Sequence, residues 1–162
     1  MINKLHMAMI ELYHGDAKRI QHFCKVHSYA KLIAEMENVD AKTLFILETA
    51  ALTHDIGIHL CEEKYGNCNG KLQEKEGPVI AEKLLSDFGF SGEVSERVQY
   101  LIAHHHTYNN IDGIDYQILV EADFLVNLFE DKVSPDGCRN AYHKIFRTES
   151  GKRLYRTMYP AV

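Results

Sequence analysis

Residues 43–56, TLFILETAALTHDI, and residues 117–129, QILVEADFLVNLF, decide the fold of this 162-residue chain. Both carry helical spacing rather than strand alternation, and both are apolar on nearly every side. A helix that is apolar all round is a core helix. Two of them in a chain of this length predict one compact all-α domain with one core. Each also carries ionisable residues, His54 and Asp55 in the first and Asp123 in the second. A buried carboxylate without a partner is costly or becomes neutral, and a metal ion is one way to supply the missing positive charge.

A single Asp in an apolar helix can instead pair with an arginine, and a single His is commonly a satisfied core residue. The adjacent pair His54-Asp55 is harder to explain that way. Ala50 and Ala51 lie one turn before it, where small side chains let a neighbouring helix approach. Asn127 lies one turn after Asp123 and shares its face. His27 stands in FCKVHSYAKLIAEM, flanked by Val26, Ala30 and Ile33, with Lys31 one turn on. We therefore expect His27, His54, Asp55 and Asp123 to hold one divalent transition metal. Mixed nitrogen and oxygen donors suit iron, manganese, cobalt, nickel or zinc. Four ligands leave positions for water and substrate, as a hydrolytic metal requires.

Outward from these segments the helical pattern continues. Residues 2–13 form a first helix, with Ile2, Leu5, Met9 and Leu12 on one face. Asp16 caps a second reaching about residue 38, and Asp40 caps the helix that runs through His54-Asp55 to Gly57. Residues 58–72 read as a loop, being rich in Gly and Asn around KYGNCNGK. Helices follow over 74–88, from Ser91 to the run His104–His106, and through the apolar segment to about 131. Ser134-Pro135 opens another, and a last covers 149–158. The whole reads as a single domain over 1–162, with a C-terminal helical extension.

Hydrophobic residues make up 46% and charged residues 25%, as in an ordinary soluble protein. The net charge of -5 gives no general attraction to nucleic acid or to an anionic membrane. Phosphate binding would then need a local basic group or a cation. The four cysteines form no Cys-x-x-Cys pair, which argues against a thiolate zinc site and leaves reduced thiols in a cytoplasmic protein. The N-terminus, MINKLHMAMIELYHG, is too polar to span a bilayer. Oligomeric state is open, a homo-oligomer included.

The order His27, then His54-Asp55, then Asp123 resembles the HD superfamily of metal-dependent phosphohydrolases. LETAALTHDIGI looks like its paired segment and VEADFLVNL like the segment of its final aspartate. EGPVIAEKLLSDFG and VQYLIAHHH resemble the two helices between, so the likeness covers about residues 20–130. The resemblance implies an all-helical HD-type domain that cleaves a phosphate ester, of a nucleotide or another small phosphorylated metabolite. Two-metal relatives carry a histidine where this chain aligns Gln73, so one ion is expected, although Glu76 offers a carboxylate for a second. Single-metal relatives that cleave nucleoside monophosphates carry a Glu where this chain has Ile58. Glu76, Glu62 and His105 are the replacement acids. A catalytically silent binding module and a di-iron oxygenase remain alternatives.

Within this reading Asp55, His104 and His105 are the catalytic side chains, with His104 and His105 facing the pocket and His106 facing solvent. Lys31, Lys71, Tyr108 and Asn127 are the substrate contacts, the lysines for phosphate and the tyrosine for stacking on a base. His6, His14, His22, His59 and His143 are left as surface or packing residues.

Overall fold

A computed structural model describes residues 1–160, and these form nine helices and no strand. In chain order they are α1 (Ile2–Leu12), α2 (Ala17–Met36), α3 (Ala41–Thr53), α4 (Ile58–Tyr65) and α5 (Gly70–Asp87). They continue as α6 (Gly92–His104), α7 (Ile114–Glu130), α8 (Pro135–Ile145) and α9 (Glu149–Met158). The all-α expectation holds. Helix α3 is the central element and packs against α1, α2, α6 and α7, while α2 also lies along α7 and α5 along α6. Residues Ile46 to Thr53 are buried without a break, as their composition predicts. An 18-residue window within residues 41–65 is apolar enough and long enough to cross a bilayer, but 72% of it is buried inside the fold, so the apolarity serves the core.

Polar caps start α2, α3, α8 and α9 where the sequence places them, whereas α5 starts earlier than expected and Ser91 makes no side-chain capping bond at α6. Asp16 accepts from the Arg19 N–H, and Asp40 accepts from the Lys42 and Thr43 N–H groups. Asn69, Ser134 and Thr148 do the same for α5, α8 and α9. The expected loop over 58–72 is corrected. Ile58 and Cys61 bury one face of a short helix, α4, and Gly66 ends it at φ +70°. The Gly and Asn residues that suggest a long loop form only the turn between α4 and α5.

Two close approaches fix the site. The Gly57 turn lies against Gly77 of α5, where a Cβ on Gly57 would stand 3.0 Å from the Gly77 nitrogen. A Cβ on Gly77 would stand 2.7 Å from Ile102 Cγ2 of α6. Bare backbone here lets α5 and α6 close onto the His54-Asp55 turn. From the other side, the buried Tyr13 at the end of α1 donates its hydroxyl to the Asp55 carbonyl at 2.7 Å.

The C-terminal helices hang on Glu121, a fully buried carboxylate in α7. Its Oε1 accepts from Gln117 Nε2 (2.7 Å), Arg147 N (2.6 Å) and Thr148 N (2.9 Å). Its Oε2 accepts from Thr148 Oγ1 (2.5 Å). Four donors satisfy the charge without a cation and tie the α8–α9 corner to the core.

Candidate metal centre

Helices α2, α3 and α7 bring His22, His54 and Asp123 together, each almost wholly buried. His22 Nε2 lies 3.3 Å from His54 Nε2 and 3.2 Å from Asp123 Oδ1, and His54 Nε2 lies 3.7 Å from that oxygen. Asp55 joins them from the turn after α3, its Oδ2 3.5 Å from both imidazole nitrogens. Donors about 2.1 Å from one ion stand roughly 3.0–3.5 Å apart at tetrahedral to octahedral angles, so this set has the spacing of a metal's ligands.

The outer hydrogen bonds fix which nitrogen faces inward. His22 Nδ1 donates to Glu130 Oε2 (2.9 Å), and Lys25 Nζ holds the other oxygen of Glu130 (2.5 Å). His54 Nδ1 donates to the Ala51 carbonyl (2.9 Å). Each imidazole therefore turns its Nε2 to the centre, the nitrogen a metal would take once any proton there has left. Two ring nitrogens 3.3 Å apart beside two carboxylates call for a positive charge, a proton or a metal cation. Electrostatics agree. Burial works against a charged His22, but Asp123 and Asp55 on one side and Glu130 on the other outweigh it and raise it to about 9. Burial lowers His54. Burial also opposes ionised Asp55, yet His54, His105 and His22 hold its carboxyl far below the usual range. Asp123 is lowered in the same way, chiefly by His22 and His54 against its burial.

His27 is not part of this group. It is five residues beyond His22, which on a helix is a rotation of about 140°. Its Nε2 instead meets Glu48 Oε1 at 3.0 Å, and Lys31 Nζ meets the same oxygen at 3.2 Å. Both expected roles are corrected: His27 and Lys31 form a separate polar cluster with a buried carboxylate of α3. The candidate donor that sequence reading passed over, His22, lies on the buried stripe His22, Val26, Ala30, Ile33. That spacing was the signal that could have found it.

A second donor group, Asp55, His105 and His106, adjoins the first. His105 Nδ1 donates to the Ile102 carbonyl (2.7 Å), and its Nε2 lies 3.6 Å from Asp55 Oδ1. Burial works against its charge, and Asp55 and Asp123 outweigh it to raise its proton affinity. His106 Nε2 donates to Gln73 Oε1 at 2.8 Å, and burial together with nearby His105 lowers His106 to about 4. The expected pairing of the three histidines is thus shifted by one. His105 and His106 face the centre, whereas His104 points away, its Nδ1 on the Tyr100 carbonyl (2.7 Å) and its ring 4.3 Å from that of Tyr100. Helix α6 ends at His104, but His105 keeps right-handed helical backbone and so follows the helix's own phase, and His106 comes next in the turn.

The centre opens into a cleft of about 390 Å³ lined by Lys18, Arg19, Ile58, Glu62, Gln73 and Asn127, among others. Lys18 and Arg19 are cations the sequence reading did not single out. Arg19 bridges Asp16 and Glu62 (2.5 Å each). Asn127 donates to Asp123 Oδ1 (2.9 Å), so it orients that carboxylate as well as lining the cleft. Glu76 points elsewhere, to Tyr65 and Lys64. Lys71 and Tyr108 line a separate hollow on the far side of His106.

The family model described as HD domain matches residues 19–136. No functionally curated protein matches the chain. Among solved structures, a predicted HD superfamily hydrolase from an uncultured Thermotogales bacterium is similar at 25% identity and a TM-score of 0.72. That alignment covers 98% of this chain and 84% of the other.

Proposed function

The chain belongs to the HD-domain family, and from that premise we propose that it is a single-metal phosphohydrolase acting on a small phosphate ester, a nucleotide among the candidates. The convergence of His22, His54, Asp55 and Asp123 on one point, with two imidazole tautomers fixed from outside, carries the reading. A bound divalent cation supplies Lewis acidity and lowers the pKa of water at such a centre. The protein's own groups do the rest. Glu130 holds His22 in the binding tautomer, and Asn127 orients Asp123. Lys18, which has no carboxylate partner among the described residues, attracts the phosphate to the cleft, beside Arg19 held by Asp16 and Glu62. His105, which favours its proton and stands 3.6 Å from Asp55, is the group we assign to pass one to a leaving oxygen.

We read one ion rather than two from Gln73. Its Oε1 lies 2.8 Å from His106 Nε2, and a proton donated to it from that nitrogen leaves no lone pair there for the second group.

The test is turnover of a panel of phosphomonoesters and phosphodiesters with manganese, cobalt, iron and nickel. Wild type should hydrolyse at least one ester, and Asp55→Ala and Asp123→Ala should lose that activity. Equal turnover by wild type and Asp55→Ala would falsify the reading. Tight nucleotide binding without hydrolysis under every metal would instead identify a silent binding module.

A further inference from the structure

Beyond His106 lies a hollow of about 650 Å³ between the start of α5, the loop after α6 and the end of α8. Lys71, Tyr108, Lys144 and Arg147 line it, with His106 in its wall. Its volume suits a drug-sized or nucleotide-sized group. No carboxylate lines it, although acidic residues outnumber basic ones by 23 to 18 in the chain. Lys71 is neutralised by Glu74 at 2.7 Å. Among the described residues, Lys144 and Arg147 have no carboxylate partner. Arg147 spends its guanidinium on the carbonyls of His143, Lys144 and Phe146 and so keeps a net positive charge at the end of α8. Tyr108 is 41% exposed and offers a ring for stacking.

One histidine separates this hollow from the metal centre. His106 lies in its wall and also belongs to the donor group with Asp55 and His105. The other wall comes from residues 143–147, beyond the segment that the HD-domain model matches. The hollow is therefore a feature of this chain's C-terminal helices set beside a family centre.

We propose that this hollow is a leaving-group subsite for a second anion. The substrate is a phosphate ester whose leaving group has a flat body and its own carboxylate or phosphate. The scissile phosphate lies over the centre, the body rests on Tyr108, and the second anion meets Lys144 and Arg147. This rests on the hydrolysis proposed above.

The experiment compares phenyl phosphate, 4-carboxyphenyl phosphate and 1,4-phenylene bisphosphate with the manganese-loaded protein, for wild type, Lys144→Gln and Lys144→Glu. Lys144→Glu should lower kcat/KM for an anionic ester about tenfold relative to phenyl phosphate, and Lys144→Gln about threefold. Loss with the carboxylate, the bisphosphate or both supports the subsite and names its anion. Equal effects on all three esters, or none, overturn it. If none of these three esters is turned over, the hydrolysis reading is decided by the wider ester and metal panel above and not by this comparison. The hollow is then tested by NMR titration of the same protein with 4-phosphonobenzoate. Amide shifts at Thr107, Tyr108 and Lys144 that vanish in Lys144→Glu support it, and their absence refutes it.

Discussion

Metal binding at this centre should release a proton, and the size of the effect follows from His22. The metal needs the lone pair of His22 Nε2, but the same carboxylates that would help hold a cation also hold a proton there. With His22 raised to about 9, roughly one molecule in a hundred has it neutral at pH 7. The proton therefore costs metal affinity about 2.7 kcal/mol at that pH. The other ligands add little, because His54 is lowered by burial and both carboxylates are held ionised against theirs. The apparent affinity should rise about tenfold per pH unit, or nearly two orders of magnitude from pH 6.5 to 8.5. Isothermal titration with manganese in buffers of different ionisation heat should count about one proton released per ion at pH 7. A flat affinity across that range, with no proton release, would show that His22 is not a ligand or carries no proton before binding.

Further expectations follow from the same geometry. Elemental analysis should find metal in His27→Ala at the wild-type level but lost from His22→Ala; the reverse pattern would restore His27 as the ligand. Wild type should hold one ion and Gln73→His two, and equal stoichiometry would remove Gln73 as the cause. In the chelated protein, the raised His22 stabilises the fold fully below the unfolded value of 6.5, and that contribution disappears as pH rises through about 9. The loss is about 3 kcal/mol, or a fall in Tm of roughly 6–12 °C, and a Tm that rises over this window contradicts it. Gly151→Ala should lower stability by about 2–4 kcal/mol, because its methyl would strike the Glu121 carboxylate and stand 2.7 Å from Thr148 Oγ1. Unchanged thermal melting would show that the corner yields.

Much of this was legible in the sequence because burial and charge were in open conflict there. Asp123 and the His54-Asp55 pair stood in otherwise apolar segments, although Glu48 and Glu121 in the same segments are satisfied by protein donors, and helix caps such as Asp16 and Asp40 marked where elements begin. The misplacement of His27 has a physical origin. His22 and His27 both stand beside apolar residues, and only the buried stripe through Val26 and Ala30 separates them. Glu48, which satisfies His27, lies 21 residues away in the chain and gives no local sign of the pairing. The histidine run failed differently. The run straddles the end of α6: His105 still has helical backbone, and His106 lies in the turn that follows, where a helical wheel no longer applies. Arg19 and Lys18 gain their meaning from a cleft that forms only when α2 meets α4 and α7.

The Tyr13 hydroxyl on the Asp55 carbonyl bears on what the working unit is. Family matching begins at residue 19 and ends at 136, yet a phenol six residues upstream holds the turn that presents the metal-binding aspartate. The Glu121 clasp likewise depends on residues 147 and 148. A fragment trimmed to the matched segment would keep every proposed ligand and lose both of these supports. It would leave the Asp55 carbonyl without its phenol donor and Glu121 as a buried carboxylate short of most of its donors. The portable signature of this family and the smallest piece of this chain able to do its work are therefore different lengths, and truncation or transplantation should respect the longer one.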